Sequence, residues 1–281
     1  MTVSEITTQP WMLWRRQVAA ILRLELKKSL FSKRAWWIYI LTLGPVAITG
    51  IHSLLGRDGG HTMGDDNMIF AGIFQVYFLR LGIFFGCLGI FSNLFRAEML
   101  ERTLHYYFMS PVRREVLAVS KYLAGLIAAV TYFVSSVVLS FLFISAHWGP
   151  VFQQYLFHGG GLRQLGWYSL TTALACVGYG SLFLLTGVLF RNPMIPAAVV
   201  WIWENLNPFL PSLLKKFSII FYLKSLCPVG DIPAEGPLAF LATITEPTPA
   251  WLAIPGLLAV SLLLLGYAAA KARRLEVSYS D

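Results

Sequence analysis

Apolar residues recur along the chain in six long runs, at residues 35–55, 68–95, 116–146, 165–190, 194–211 and 251–270, separated by shorter polar stretches. A helix of about 20 apolar residues crosses the hydrocarbon of a bilayer. The pattern therefore predicts an all-α integral membrane protein with six transmembrane helices. Ahead of the first run, residues 11–34 follow a different rule. At about 100 degrees per residue, Arg16, Arg23, Lys27 and Arg34 fall together, opposite Trp11, Trp14, Val18, Ile21 and Leu22. That opposition predicts an amphipathic helix lying in the membrane interface, or else a basic flank that only orients the first span. Glu25 stands on the apolar side, where it calls for a cationic partner such as Arg102. Residues 1–34 thus form a tail and interfacial helix, and residues 35–281 the six-span domain.

Local signals shape the runs. Gly44-Pro45 kinks the first span, and a polar loop over residues 56–67 precedes the second. An outer loop after the third run holds His147, His158 and the glycines Gly159, Gly160 and Gly161, which read as a flexible connection. The fourth run carries Gly178, Gly180, Ser181 and Gly187, small enough for close helix packing. Arg191-Asn192-Pro193 makes a tight turn into the fifth. There Pro208 deprives the Glu204 carbonyl of its helical donor and Pro211 does the same to that of Asn207, so the fifth span is irregular. Unwound backbone at that depth requires a protein or water-lined surrounding. Residues 212–249 form a long outer segment before the sixth run, which ends in Lys271, Arg273 and Arg274.

Charge fixes an orientation. Sixteen Lys and Arg residues fall in the N-terminal tail, the segment between the second and third runs, the Arg191 turn and the C-terminal tail, against five in the intervening loops. The positive-inside rule then places both termini in the cytoplasm, most simply of a bacterial inner membrane. The net charge of +8 sits beside apolar runs, so its partner is the lipid headgroup layer and not nucleic acid. With 57% hydrophobic and 13% charged residues and a mean hydropathy of +0.64, a soluble domain is excluded. Cys87, Cys176 and Cys227 lack metal-ligand spacing, and the five histidines lack an HExxH or HxxxH pattern, so no metal site and no catalytic residue is singled out. There is no GxxxxGK[ST] loop, which excludes ATP hydrolysis on this chain by that route.

Between the second and third runs lies a charged island, RAEMLERTLHYYFMSPVRREVLAVSK, at residues 96–121. Ser110 as N-cap with Pro111 as first helical residue splits it into helix, break, helix. Leu100, Leu104, Tyr107 and Phe108 share one face of the first piece, while Glu101, Arg102 and His105 point elsewhere. By charge alone this is also what an ordinary basic cytoplasmic loop looks like. The order Glu98, Glu101, Thr103-Leu104, Pro111-Val112, Arg114-Glu115, Lys121, directly after a second span, resembles the coupling segment of type-2 ABC exporter permeases. The resemblance implies a coupling helix within residues 96–115, with Glu98, Glu101, Arg102, Thr103, Leu104, Tyr107, Pro111 and Arg114 meeting a separate ATP-binding-cassette ATPase. It also implies a connecting helix, carrying Arg16, Arg23, Glu25 and Lys27, packed against that segment, and short re-entrant helices between spans five and six. A second copy of the chain or a homologous permease completes the path. ATP and magnesium belong to the ATPase, and this chain needs no cofactor.

Two charges fall inside the apolar runs. Arg80 and Glu204 lie at the same level, roughly 15 to 18 Å deep at 1.5 Å per residue. A lone charge there costs several kcal/mol, so each pairs or faces water. They are either an ion pair that fixes helix packing or groups lining the substrate path, which the resemblance assigns to spans two and five. Tyr77, Phe84, Trp201 and Asn207 lie near them as contacts for an amphipathic small molecule or lipid. Two other functions fit the same pattern: an integral membrane enzyme acting on a lipid-linked substrate with Glu204 as acid or base, and a non-transporting scaffold.

Overall fold

The computed structural model describes residues 10–31, 36–55, 62–100, 114–190, 192–229 and 248–273, and among them every regular element is a helix. The first, α1 (Pro10–Phe31), is followed by α2 (Trp36–Leu55). Next come α3 (Met63–Gly72), a π-helical segment (Ile73–Gly82) and α4 (Ile83–Leu100), which run on without interruption as one long rod. After α5 (Arg114–Ile144) come a 3-10 turn (Ala146–Trp148), α6 (Pro150–His158) and α7 (Gly161–Leu189). The remainder is α8 (Met194–Leu206), a 3-10 turn (Asn207–Phe209), α9 (Ser212–Lys215), α10 (Ile219–Ser225) and α11 (Ala250–Arg273).

Among the described residues five stretches are long and apolar enough to cross a membrane: Trp36–Leu55, Met63–Phe95, Val116–Trp148, Gly161–Leu189 and Ala250–Ala272. The sixth expected run differs. Its α-helix is 13 residues, about 20 Å at 1.5 Å per residue, and stops before Pro208. The backbone groups released there are recovered locally, since Asn207 N–H donates to the Glu204 carbonyl and Leu210 N–H to that of Asn207.

Two boundaries move for identifiable reasons. The second span starts at Met63, inside the expected 56–67 loop, because Thr62 and Asp65 form a reciprocal capping box: Asp65 N–H donates to Thr62 Oγ1 at 3.3 Å and Thr62 N–H to Asp65 Oδ2 at 2.8 Å. The connection at residues 146–160, expected as a flexible outer loop, is mostly helical. Pro150 opens α6, and Gly159 with Gly160, the latter at φ 91°, makes a two-residue joint into α7.

Helix α7 is the centre of the bundle, packed by α4, α5, α6 and α11, and is the most buried of the spans. Its small residues make this possible. A Cβ on Gly187 would lie 2.8 Å from the Ser92 carbonyl oxygen of α4, so the two backbones meet there with no side chain between. Around the crossing the core is aromatic: Tyr168 sits edge-on to Phe70 and near Phe74, and Phe84 packs edge-on to Tyr179 and Phe183. Helix α1 runs along α5, with Ile21 and Glu25 turned in and Arg16, Arg23 and Lys27 exposed.

The chain after α7 doubles back along it. Glu204, ten residues into α8, lies beside Tyr179, ten residues before the end of α7, which is the register of two antiparallel helices joined by the 190–193 turn. The path then leaves α7 over residues 207–218 and returns at the same level, where Ile219 covers Gly178 at 3.2 Å from an added Cβ. From there α10 continues in the direction α8 had taken. Thr171 Oγ1 reaches the Leu226 carbonyl and Gln75 Nε2 the Val229 carbonyl, both toward the Gly161 end of α7.

Candidate functional site

Charged and polar groups inside the bundle fall into three clusters at three levels. The first joins α1 to the helices on either side of residues 101–113. Lys121, fully buried on α5, donates to Glu25 Oε1 of α1 at 2.6 Å and to the Leu94 carbonyl of α4 at 2.9 Å, with the Phe95 ring 5.6 Å from its ammonium. An ammonium has three donors and no acceptor, so a carboxylate, a carbonyl and an aromatic face suit it. The partners sit on two other helices, Glu25 on α1 and Leu94 and Phe95 on α4, and neither helix can move far without exposing a charge to apolar surroundings. Glu25 thus has a described cationic partner, Lys121; Arg102 lies outside the described residues. Tyr132 adds a second link, its hydroxyl donating to the Ser29 carbonyl of α1 at 3.5 Å.

Of the residues assigned to coupling, Glu101, Arg102, Thr103, Leu104, Tyr107 and Pro111 lie outside the described residues. Glu98 falls within α4, which continues through Leu100, and Arg114 opens α5 half-buried.

The second cluster lies at mid-depth. The Glu204 carboxylate is buried and accepts from Ser218 Oγ at 2.7 Å, Ile219 N–H at 3.0 Å and Ile220 N–H at 2.8 Å, with the Tyr179 hydroxyl at 3.5 Å. Near the end of α8 it therefore supplies the N-terminal cap of α10, satisfying amides that a seven-residue helix cannot satisfy itself. Glu204 and Arg80 form no ion pair, and the expected facing of the two charges gives way to this cap, because amides at a helix start compete for the same oxygens. Arg80 is half-buried on the π-helical segment and within electrostatic range of Tyr179. Its buried Nε has no hydrogen-bond partner, and neither has the indole Nε1 of Trp201.

The other residues expected near these charges divide. Tyr77 turns to α2, donating to the Leu41 carbonyl at 3.0 Å. Phe84 is core, locked between Phe85, Tyr179 and Phe183. Trp201 packs on Phe85 with ring centroids 6.2 Å apart, at the seam between α8 and the second span. Asn207 is buried and donates to the Lys215 carbonyl at 3.3 Å, closing the 207–218 excursion on itself.

The third cluster, where the end of α2, the start of α3 and the turn after α5 meet, has no counterpart in the sequence reading. Asp66, fully buried, accepts from the Trp148 indole at 2.8 Å and meets His52 Nε2 at 3.1 Å and His147 Nε2 at 3.4 Å. These histidines looked scattered because 95 positions separate them. The one legible hint was an acid two residues from an apolar run beside its own capping box. Among the described residues no group of three or more His, Cys, Asp or Glu is arranged to hold a metal.

In comparison with protein families, residues 21–204 match a family described as ABC-2 family transporter protein. The matched region covers well over half of the chain, from Ile21 on α1 to Glu204 on α8. No curated protein matches the chain.

Proposed function

The chain belongs to the ABC-2 family of transporter proteins, and from that premise we propose that it is the permease half of an ATP-driven exporter. A second copy or a homologous permease completes the path, and ATP-binding-cassette ATPase subunits dock on residues 96–115 from the cytoplasm. The substrate is an amphipathic small molecule or lipid. ATP and magnesium act on the ATPase, outside this chain. The observation that carries this reading is the Lys121 clasp. It ties α1, the end of α4 and the start of α5, so a push on the segment between α4 and α5 is delivered to the second and third spans together. A loop with no mechanical role has no need of a buried lysine that bonds one of its flanking helices to the other and pairs with a third.

In this reading the chain crosses the inner membrane of a bacterium six times, with both termini cytoplasmic. The fifth crossing is broken. Helices α8 and α10 in series contribute 13 and 7 residues, together about 30 Å at 1.5 Å per residue, the thickness of a bilayer's hydrocarbon. Discontinuous helices of this kind are tolerated where protein covers the break, and transporters use them. The rival reading, an enzyme using Glu204 as acid or base, is disfavoured because both carboxylate oxygens are already engaged by α10 and Ser218.

Co-expression with an ABC ATPase from the same organism tests the assignment. The two should co-purify, and exchanging the charges of Glu101 and Arg102 (Glu101→Arg with Arg102→Glu) should uncouple ATP hydrolysis from transport in a protein that still folds. Full substrate-stimulated hydrolysis and unchanged salt resistance of the complex in that variant would move the docking surface elsewhere.

A further inference from the structure

Resting on the permease reading, we propose that Arg80 and Trp201 form an intramembrane binding site for the anionic headgroup of an amphiphile, which makes the transported class negatively charged. Three observations lead there. The first is that the Arg80 charge is uncompensated. No described residue gives it a hydrogen bond or ion pair, and its Nε is buried with no partner. The chain has 14 acidic residues, but Glu204 is the only one within the six apolar runs. Its oxygens are held by Ser218, Ile219 and Ile220. A second copy of the chain would bring to this depth only the same engaged glutamate. A guanidinium left alone within a bilayer is costly, so what neutralises it comes from outside the protein.

A second unpartnered donor stands on α8, the helix that packs against the π-helical segment carrying Arg80. Trp201 Nε1 is also buried without a partner, and its ring lies against Phe85, on the helix that continues from the Arg80 segment. Both residues are part-exposed, and exposed apolar side chains stand close to each in sequence, Val76 one turn before Arg80 and Val199 and Ile202 beside Trp201. A planar guanidinium fork and an indole N–H suit the oxygens of a phosphate, sulfate or carboxylate, while the apolar positions suit the attached chain. The third observation is the backbone. Arg80 sits in a ten-residue π-helix whose closing bond runs from Ile83 N–H to the Phe78 carbonyl, and π-helical geometry occurs frequently at functional sites.

The headgroup could belong to a bilayer phospholipid or to a free amphiphile, and the test separates them. The full chain, without its ATPase, is placed in phosphatidylcholine nanodiscs and titrated with dodecyl phosphate or dodecyltrimethylammonium. Dodecyl phosphate should bind and the cation should not. Arg80→Gln should weaken dodecyl phosphate binding by at least about tenfold, Arg80→Lys should retain most of it, and Trp201→Phe should lose a few-fold. Adding phosphatidylglycerol to the disc should compete in the parent but not in Arg80→Gln if the occupant is lipid. Absence of competition assigns the site to a free amphiphile. Arg80→Gln removes an uncompensated charge, so it should unfold no earlier than the parent; if it fails to fold, the lysine and phenylalanine variants decide the matter. Equal binding by Arg80→Gln and the parent, equal affinity for the cation, or no binding of dodecyl phosphate would overturn the proposal. The readout needs no ATPase, so a loss of ATPase association would leave it standing, and its own failure would leave the coupling assignment standing.

Discussion

Lys121 shows how much one side chain can decide in a protein of this kind. Its ammonium has no water to return to, and Glu25, 4% exposed, has little more. Breaking such a pair by removing one partner leaves the other charge buried, which costs about 3 to 5 kcal/mol, whereas removing both exchanges an expensive pair for packing. Lys121→Met should therefore lower the unfolding temperature in detergent sharply, and the double variant Lys121→Met with Glu25→Gln should recover much of the loss. Additive losses would show that the two residues act separately. Asp66 poses the same problem with an indole and two imidazoles as its partners. Asp66→Ala orphans the Trp148 indole and two imidazole contacts, at about 1 to 3 kcal/mol for each buried donor left unmade, and should loosen the outer ends of α2, α3 and α5 in hydrogen exchange. Unchanged protection there would reduce the cluster to a surface contact. The odd position of Glu25 on the apolar face of α1 was legible in the sequence, as was its need for a cation. Which cation met it was not, since partners 96 positions apart meet only once the helices are packed.

At the scale of elements, periodicity predicted the long helices and missed their ends, because ends are decided by single residues. The spacing Thr62-Met63-Gly64-Asp65 is a capping signature that can be read directly, and it moved the second span by five residues. Pro208 likewise predicted a break, but nothing in a linear pattern says that a chain leaving α7 at residue 207 returns to the same level at residue 218. That return is enforced by Glu204, whose carboxylate holds the first amides of α10. Replacing it tests the element and not only the residue. Glu204→Ala leaves Ser218, Ile219 and Ile220 without their acceptor, so amides 219–225 should exchange faster by at least about tenfold while α7 keeps its protection. Equal loosening of α7 would mean that the carboxylate stabilises the bundle generally and does not seat α10. Gly187 gives the complementary case of an element held by the absence of a side chain. An added methyl would meet the Ser92 backbone at 2.8 to 2.9 Å, and backbone cannot step aside, so Gly187→Ala should destabilise the α4–α7 crossing by about 1 to 3 kcal/mol.

For the molecule as a whole, the number of crossings decides on which face the C-terminal basic cluster lies. Among the described residues five helices are long and apolar enough to span a membrane, and five crossings would put the two termini on opposite sides. The basic residues divide sixteen against five whether six crossings or five are counted, because Lys215, Lys216 and Lys224 change sides together with Lys271, Arg273 and Arg274, so charge orients the N-terminus and leaves the C-terminus to the fate of α8 and α10. A fifth crossing assembled from α8 and α10 returns the C-terminus to the N-terminal side, because two half-length helices fail any length criterion separately and satisfy it together. Single cysteines distinguish the alternatives. With Cys227 replaced by Ser, and Cys87 and Cys176 buried, new cysteines at Arg23 on α1, Arg163 at the start of α7 and Lys271 at the end of α11 report three positions that are all exposed. Treated with a membrane-impermeant maleimide, intact cells should label only Arg163→Cys, and opened cells all three. Were Lys271→Cys labelled from outside while Arg23→Cys stayed protected, α8 and α10 would not cross. The segment would then turn back at Glu204 as a hairpin inserted from the cytoplasm, and the C-terminal basic cluster would lie on the face opposite the clasp.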